Sequence, residues 1–129
     1  MELKNFDNKD QMSLAAARYT KELISTKKNS TAMFSLALSG GGSPVRFYEL
    51  LAEEKIDWSN VNLFLVDERK VPLNHEFSNF RMIQEALISR IDIPLSNVFF
   101  LKTELLRLDF LARCYNLSHL TSIFRRITP

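Results

Sequence analysis

A three-layer α/β fold, a Rossmann-like parallel sheet with helices on both faces, is predicted by three features of the sequence. Short apolar runs alternate with stretches of helical periodicity in the order αβαβαβ. The connections between them are short. The first apolar run feeds directly into a glycine turn and a helix start. Alternation of this kind builds parallel strands with right-handed crossovers.

The elements follow in order. Asn8 or Asp10 is placed to cap a first helix running to about Thr26. Met12, Ala15, Ala16, Tyr19, Leu23 and Ile24 recur at helical spacing and give it one apolar face. Lys27 to Ser30 is a polar loop. Thr31 to Leu38 is apolar nearly throughout, as suits a strand buried on both faces. A second helix carries Phe47, Tyr48, Leu50 and Leu51, and Asp57 to Asn60 makes a turn beneath which Trp58 packs. Val61 to Val66 is the second strand. Lys70 to Phe77 forms a loop, and Ser78 caps a third helix from Asn79 to about Arg90, with Phe80, Ile83, Ala86 and Leu87 on one face. After a turn over Asp92 to Asn97, Val98 to Leu101 is the third strand.

Bulk properties set bounds. The chain has 129 residues, room for one small domain. Its 46% hydrophobic and 25% charged content is ordinary for a globular protein. A net charge of +2 gives no reason to expect nucleic acid. One cysteine, Cys114, rules out an internal disulfide. The first ten residues lack the apolar core of a signal peptide, and no apolar run approaches a membrane span, so a cytoplasmic protein without a membrane partner is expected.

The densest signal is Ser39-Gly40-Gly41-Gly42-Ser43-Pro44, which holds all three glycines of the chain. Pro44 suits the first helical position and Ser43 the N-cap before it. Glycines let the main chain approach a ligand closely, and free N–H groups at a helix start attract an anion, usually phosphate. The alternative is a tight turn that needs glycine for geometry alone. The loop is neither G-x-x-x-x-G-K-[ST] nor G-x-G-x-x-G, which disfavours nucleotides of those two kinds.

A parallel sheet brings two further stretches to the same edge. Asp67-Glu68-Arg69 ends the second strand, and Ser78-Asn79 opens the third helix. A guanidinium matches phosphate oxygens in bidentate fashion, and Asn79 both donates and accepts. The triplet also fits a solvated loop with a local ion pair. Together the three stretches suit a small, phosphorylated, polyhydroxylated ligand.

The residues that carry these features resemble a known family. Leu38 to Pro44, Ile56-Asp57-Trp58-Ser59-Asn60-Val61, Val66-Asp67-Glu68-Arg69-Lys70-Val71-Pro72 and Ser78-Asn79-Phe80-Arg81-Met82 look like 6-phosphogluconolactonase, in order and spacing, from about the first helix to Leu101. The related glucosamine-6-phosphate deaminases usually have Asp-Glu-Tyr and Ser-Tyr at the second and fourth stretches, so Arg69 and Asn79 favour the lactonase. The resemblance covers the N-terminal portion of the family fold. It implies hydrolysis of 6-phosphogluconolactone to 6-phosphogluconate in the oxidative pentose phosphate pathway, with a sugar-phosphate lactone as small-molecule partner and no metal or organic cofactor. By the same resemblance, Ser39, Gly40, Gly41, Gly42, Ser43 and Arg69 hold the sugar phosphate, while Asp67 and Asn79 shape the site. A sugar-phosphate-binding remnant without turnover, or a deaminase-like protein, is the alternative.

Two departures stand out. The family's glycine loop usually reads Gly-Gly-Ser-Thr-Pro, so one hydroxyl is lost here. The family also carries an Asp-Gly-His stretch whose histidine is its general base, and these 129 residues do not include it. His75 is the candidate replacement, set between Asp67 and Asn79, against the alternative of a loop histidine facing water. Glu68 serves as a base only if it is buried. His119 and Cys114 are weaker candidates.

Residues 105–129 differ in composition from residues 1–104. The tail holds four arginines and one aspartate, for +3. The rest holds thirteen cations and fourteen carboxylates, for −1. The tail reads either as a last helix with a frayed end or as a segment foreign to the fold, such as a frameshift product. A third, structural reading is that the half-sheet buries its open edge by self-association.

Overall fold

The computed structural model describes residues 4–26 and 32–101. Its elements are α1 (Lys9–Thr26), β1 (Phe34–Leu38), α2 (Val45–Glu53), β2 (Val61–Leu65), α3 (Asn79–Ala86) and β3 (Val98–Phe99), with single 3₁₀ turns at Ile88–Arg90 and Leu95–Asn97. The strands form one parallel sheet in the order β1-β2-β3. Phe34 stands opposite Val61, Leu38 opposite Leu65 and Leu63 opposite Val98. The α/β class and the parallel sheet are as expected. The proposed tail, with Cys114 and His119, lies outside the described residues.

Local chemistry accounts for the element starts. Asn8 caps α1, its Oδ1 accepting from the Gln11 N–H at 2.9 Å. Asp57 Oδ1 accepts from the Ser59 N–H and hydroxyl at 3.1 and 2.6 Å, which folds the turn before β2. Trp58 is 3% exposed beneath that turn. The third helix is shorter than expected. It ends at Ala86, because Leu87 leaves helical geometry (φ −132°, ψ −65°) and the chain tightens into the 3₁₀ turn at Ile88–Arg90.

The core is one cluster. Leu38, Val61, Leu63 and Leu65 from the sheet meet Ala17 and Ile24 of α1, Tyr48 and Leu51 of α2, and Ile83, Ala86 and Leu87 from α3 and its end. The alternate residues of the strands face the other way. Ser35 and Ala37 are exposed, and Asn62 and Phe64 are half-buried, with Phe64 stacked on Phe99 at 4.6 Å. The described residues therefore cover one face of the sheet, and β1 is buried on one side rather than on both.

The apolar face expected for α1 is rotated. Ser13, Ala17 and Ile24 are the buried residues, whereas Met12, Tyr19 and Leu23 are exposed. Small side chains at positions 13 and 17 let α1 lie close on α2, and that approach outweighs burial of the larger residues next to them.

What matters for function is the edge this topology creates. The Val66 N–H donates to the Leu38 carbonyl at 2.9 Å, carrying the ladder from the last residue of β1 to one residue past the end of β2. The loops after β1 and β2 thus leave the sheet side by side, at the carboxyl edge where such sheets hold ligands.

Candidate functional site

Residues 39–44 climb from β1 to α2. Gly41 has φ +92°, in the left-handed region that favours glycine. Gly40 is required for a different reason. A Cβ placed there would overlap the Asn79 carboxamide, which fills that space. Ser43 does not cap α2. Pro44 occupies the N-cap position in helical geometry (φ −85°, ψ −4°), its carbonyl accepts from the Tyr48 N–H at 3.0 Å, and no side chain caps the helix. Ser43 therefore lies one residue too early. Among the described residues nothing accepts from the N–H groups of Gly41, Gly42 or Ser43.

The base of the loop is held by Tyr48. Its hydroxyl donates to the Ser39 carbonyl at 2.8 Å, and the side chain is 2% exposed. Burial pushes the phenol pKa above its ordinary value, partly offset by the bond to Ser39. A phenol with a raised folded-state pKa contributes stability below the unfolded value that is lost as pH rises through it. Tyr48→Phe should cost about 1 kcal/mol at neutral pH. Its urea midpoint should also fall less steeply than that of the wild type above about pH 10.

The second loop follows β2. Glu68 is half-buried, and its carboxylate is fully engaged. Oε1 accepts from the N–H groups of Arg69 (2.6 Å) and Asn79 (2.7 Å). Oε2 accepts from the Ser78 hydroxyl (3.1 Å) and the Phe80 N–H (2.8 Å). Ser78 also caps α3 as expected, its Oγ accepting from the Arg81 N–H at 3.2 Å. The N–H groups at the start of α3 are thus satisfied within the chain, whereas those of the glycine loop are open. An incoming anion meets free donors at α2, not at α3.

Asn79 joins the pieces. It is 5% exposed, and its Nδ2 donates to the Asp67 carbonyl (3.2 Å) and to Asp67 Oδ2 (3.1 Å). Its carboxamide lies against Gly40. Arg69 is exposed and its guanidinium makes no ion pair among the described residues, unlike Arg46 and Arg81, which pair with Asp10, Glu49 and Glu85. An open groove of about 330 Å³ runs along this edge, lined by Gly41, Gly42, Arg69, Glu76, Phe77, Ser78, Asn79 and Met82.

The expected site residues divide accordingly. Gly41, Gly42, Arg69 and Asn79 line the groove, Gly40 lies behind Asn79, and Asp67 is tied to the same amide. Ser39 contributes a carbonyl to Tyr48, and Ser43 is exposed on the loop. His75 is set in a turn. Its Nδ1 accepts from the Phe77 N–H at 3.1 Å, and its ring lies 5.3 Å from that of Phe77. Accepting at Nδ1 leaves the neutral ring with its proton on Nε2, so neither nitrogen is available to take one from water. Glu68 is likewise no base, because each of its oxygens already accepts twice.

The contacts that three residues make were not evident from sequence, although Glu68 itself stood out in the charged triplet. Glu68 and Tyr48 act through partners 11 and 9 residues away in the chain. Lys9, at the start of α1, donates to the Gly42 carbonyl at 3.4 Å and brings a cation to the glycine loop from 33 residues away. Nothing local marks these long-range contacts. Among the described residues there is no group of three or more His, Cys, Asp or Glu that could hold a metal ion, and no helix is long and apolar enough to cross a membrane.

A parallel sheet with a glycine loop, an arginine without an ion pair among the described residues and a clamped amide on its carboxyl edge has the layout of the open α/β class, in which ligands bind at that edge. Within that class, the family model for glucosamine-6-phosphate isomerases/6-phosphogluconolactonase matches residues 7–125, and the chain belongs to this family. It is 49% identical over 70 residues to a 6-phosphogluconolactonase of Thermotoga maritima, covering 54% of this chain and 32% of that protein. It is 37% identical over 97 residues to a probable 6-phosphogluconolactonase of Arabidopsis thaliana, covering 73% of this chain and 37% of that protein. The crystal structure of 6-phosphogluconolactonase from T. maritima superposes with a TM-score of 0.73 at 34% identity, covering 92% of this chain and 52% of that one. A monomeric glucosamine-6-phosphate deaminase superposes at 0.77, but at 22% identity that likeness shows the fold alone. The chain spans about a third of the length of the first two relatives and about half of the solved T. maritima chain.

Proposed function

We propose that this site hydrolyses 6-phosphogluconolactone to 6-phosphogluconate. The observation that carries the reading is the Asn79 carboxamide, which holds Asp67 and packs against Gly40 in the groove that Arg69 also lines. The open N–H groups at Gly41 to Ser43 and the Arg69 guanidinium take the phosphate oxygens, with Lys9 adding positive charge behind the loop.

Hydrolysis needs an acceptor for the proton of the attacking water and donors for the tetrahedral oxyanion. Asp67 is the best-placed acceptor among the described residues. It is exposed at the end of β2, and Asn79 orients its carboxylate through Oδ2, leaving Oδ1 for water. Water adds to the lactone carbonyl as Asp67 takes its proton. The intermediate then collapses, expelling the ring oxygen, which is protonated as it leaves to give the open-chain acid. A sugar phosphate as substrate and a single cysteine both suit a cytoplasmic setting.

The rate of lactone hydrolysis over the spontaneous background tests this reading. The wild-type chain should exceed the background, and Asp67→Asn, which keeps the shape but loses the proton acceptor, should remove at least about nine-tenths of the excess. A background rate in both would contradict catalysis by these residues.

A further inference from the structure

We propose that Glu68 is a positioning residue of this site, one that sets the Asn79 carboxamide between the glycine loop and Asp67. The proposal rests on the sugar-phosphate reading above and adds a residue to which that reading gives no role.

The geometry is a chain of dependence. Both Glu68 oxygens accept two donors each, and two of the four are the backbone N–H groups of Asn79 and Phe80. A third, the Ser78 hydroxyl, belongs to the residue just before. Glu68 thus fixes the main chain on either side of Asn79, along with its own neighbour Arg69. With its backbone held, Asn79 has its carboxamide confined on two sides. It donates to the Asp67 carbonyl and Oδ2, and it occupies the space beside Gly40. No other side chain among the described residues bonds both the loop after β2 and the first turn of α3 through backbone N–H groups of each. Loosening Glu68 therefore frees Asn79, and with it the groove wall facing Arg69.

A capping carboxylate also stabilises a helix, so the test has to separate the two roles. Glu68→Gln is the informative change. Whichever way the amide is turned, its NH₂ faces at least one backbone N–H donor, so one oxygen site is lost without a change of size. Ile83→Val is the control. Ile83 is fully buried in α3 and outside the groove, so this change weakens the helix without touching the clamp.

Each protein is titrated with 6-phosphogluconate while ¹⁵N–¹H spectra are recorded. Glu68→Gln should displace the Gly40 backbone and Asn79 side-chain amide resonances before ligand is added, and should weaken binding by about tenfold. Ile83→Val should lower the Tm and leave both resonances and the affinity unchanged. If Glu68→Gln does not fold, Glu68→Asp, which keeps the charge and retracts it by one carbon, takes the same measurements with the same expectation. Overturning results would be unmoved Gly40 and Asn79 resonances, or a Glu68 variant that matches Ile83→Val in every readout. A wild-type chain that binds no 6-phosphogluconate contradicts the sugar-phosphate reading instead, and the ligand-free resonances then decide the role of Glu68.

Discussion

Replacing Gly40 by alanine is expected to lower stability by about 1–3 kcal/mol and to abolish binding of 6-phosphogluconate in the same step. The added methyl group has no free volume. It would overlap Cγ, Oδ1 and Nδ2 of Asn79 together, and that amide is itself pinned by two bonds to Asp67 and by the backbone clamp at Glu68. Relief requires either a shift of the glycine loop, which disturbs Gly41 and Gly42, or ejection of the carboxamide, which releases Asp67. Both routes damage the site. Gly42→Ala is the internal comparison, because a Cβ there meets nothing within 4 Å. Its stability should stay within about 0.5 kcal/mol of the wild type. Urea denaturation reads both, with the midpoint of Gly40→Ala falling at an unchanged slope. Equal midpoints for the two variants would show that Asn79 is not held as described.

Arg69→Ala is expected to do the reverse, leaving stability almost untouched while reducing 6-phosphogluconate affinity by roughly ten- to a hundredfold. Arg69 is exposed, it lines the groove, and its guanidinium pairs with no carboxylate among the described residues, so little in the fold depends on it. A charge-assisted bond to a phosphate oxygen is worth about 1.5–3 kcal/mol, which sets the size of the loss. Arg69→Lys should recover only part of it, since an ammonium cannot reproduce the planar fork. Calorimetric titration beside a thermal melt separates the effects. A drop in Tm with unchanged affinity would move Arg69 from the ligand to the fold.

Much of this molecule was legible because its signals are local. The run into Ser39-Gly40-Gly41-Gly42-Ser43-Pro44 specifies a strand, a turn and a helix within twenty residues, and alternation at Val61, Leu63 and Leu65 matches a strand buried on one face. Ser78 as a cap follows from residue type and position. What was not legible depends on partners brought near only by folding. α1 offers two plausible faces, and sequence favours the one with the larger residues. Packing on α2 selects the one with Ser13 and Ala17, leaving Tyr19 59% exposed. Pro44 sits one residue earlier relative to α2 than its usual preference, which displaced the cap expected at Ser43. Asp67-Glu68-Arg69 was readable as a charged triplet. That its middle carboxylate faces inward onto α3 is set by a contact across eleven residues. His75 has the residue type expected of a base, but its ring nitrogen is committed to a turn two residues long, a bond no spacing rule anticipates.

The most direct test of the central claim, a phosphorylated-sugar site on the carboxyl edge of the sheet, is a pair of calorimetric titrations of the wild-type chain with 6-phosphogluconate and with gluconate. Saturable binding of the phosphorylated acid is expected, with an affinity for gluconate at least about tenfold weaker, because the glycine loop and Arg69 engage the phosphate. Equal affinity for the two, or no binding of either, would contradict it.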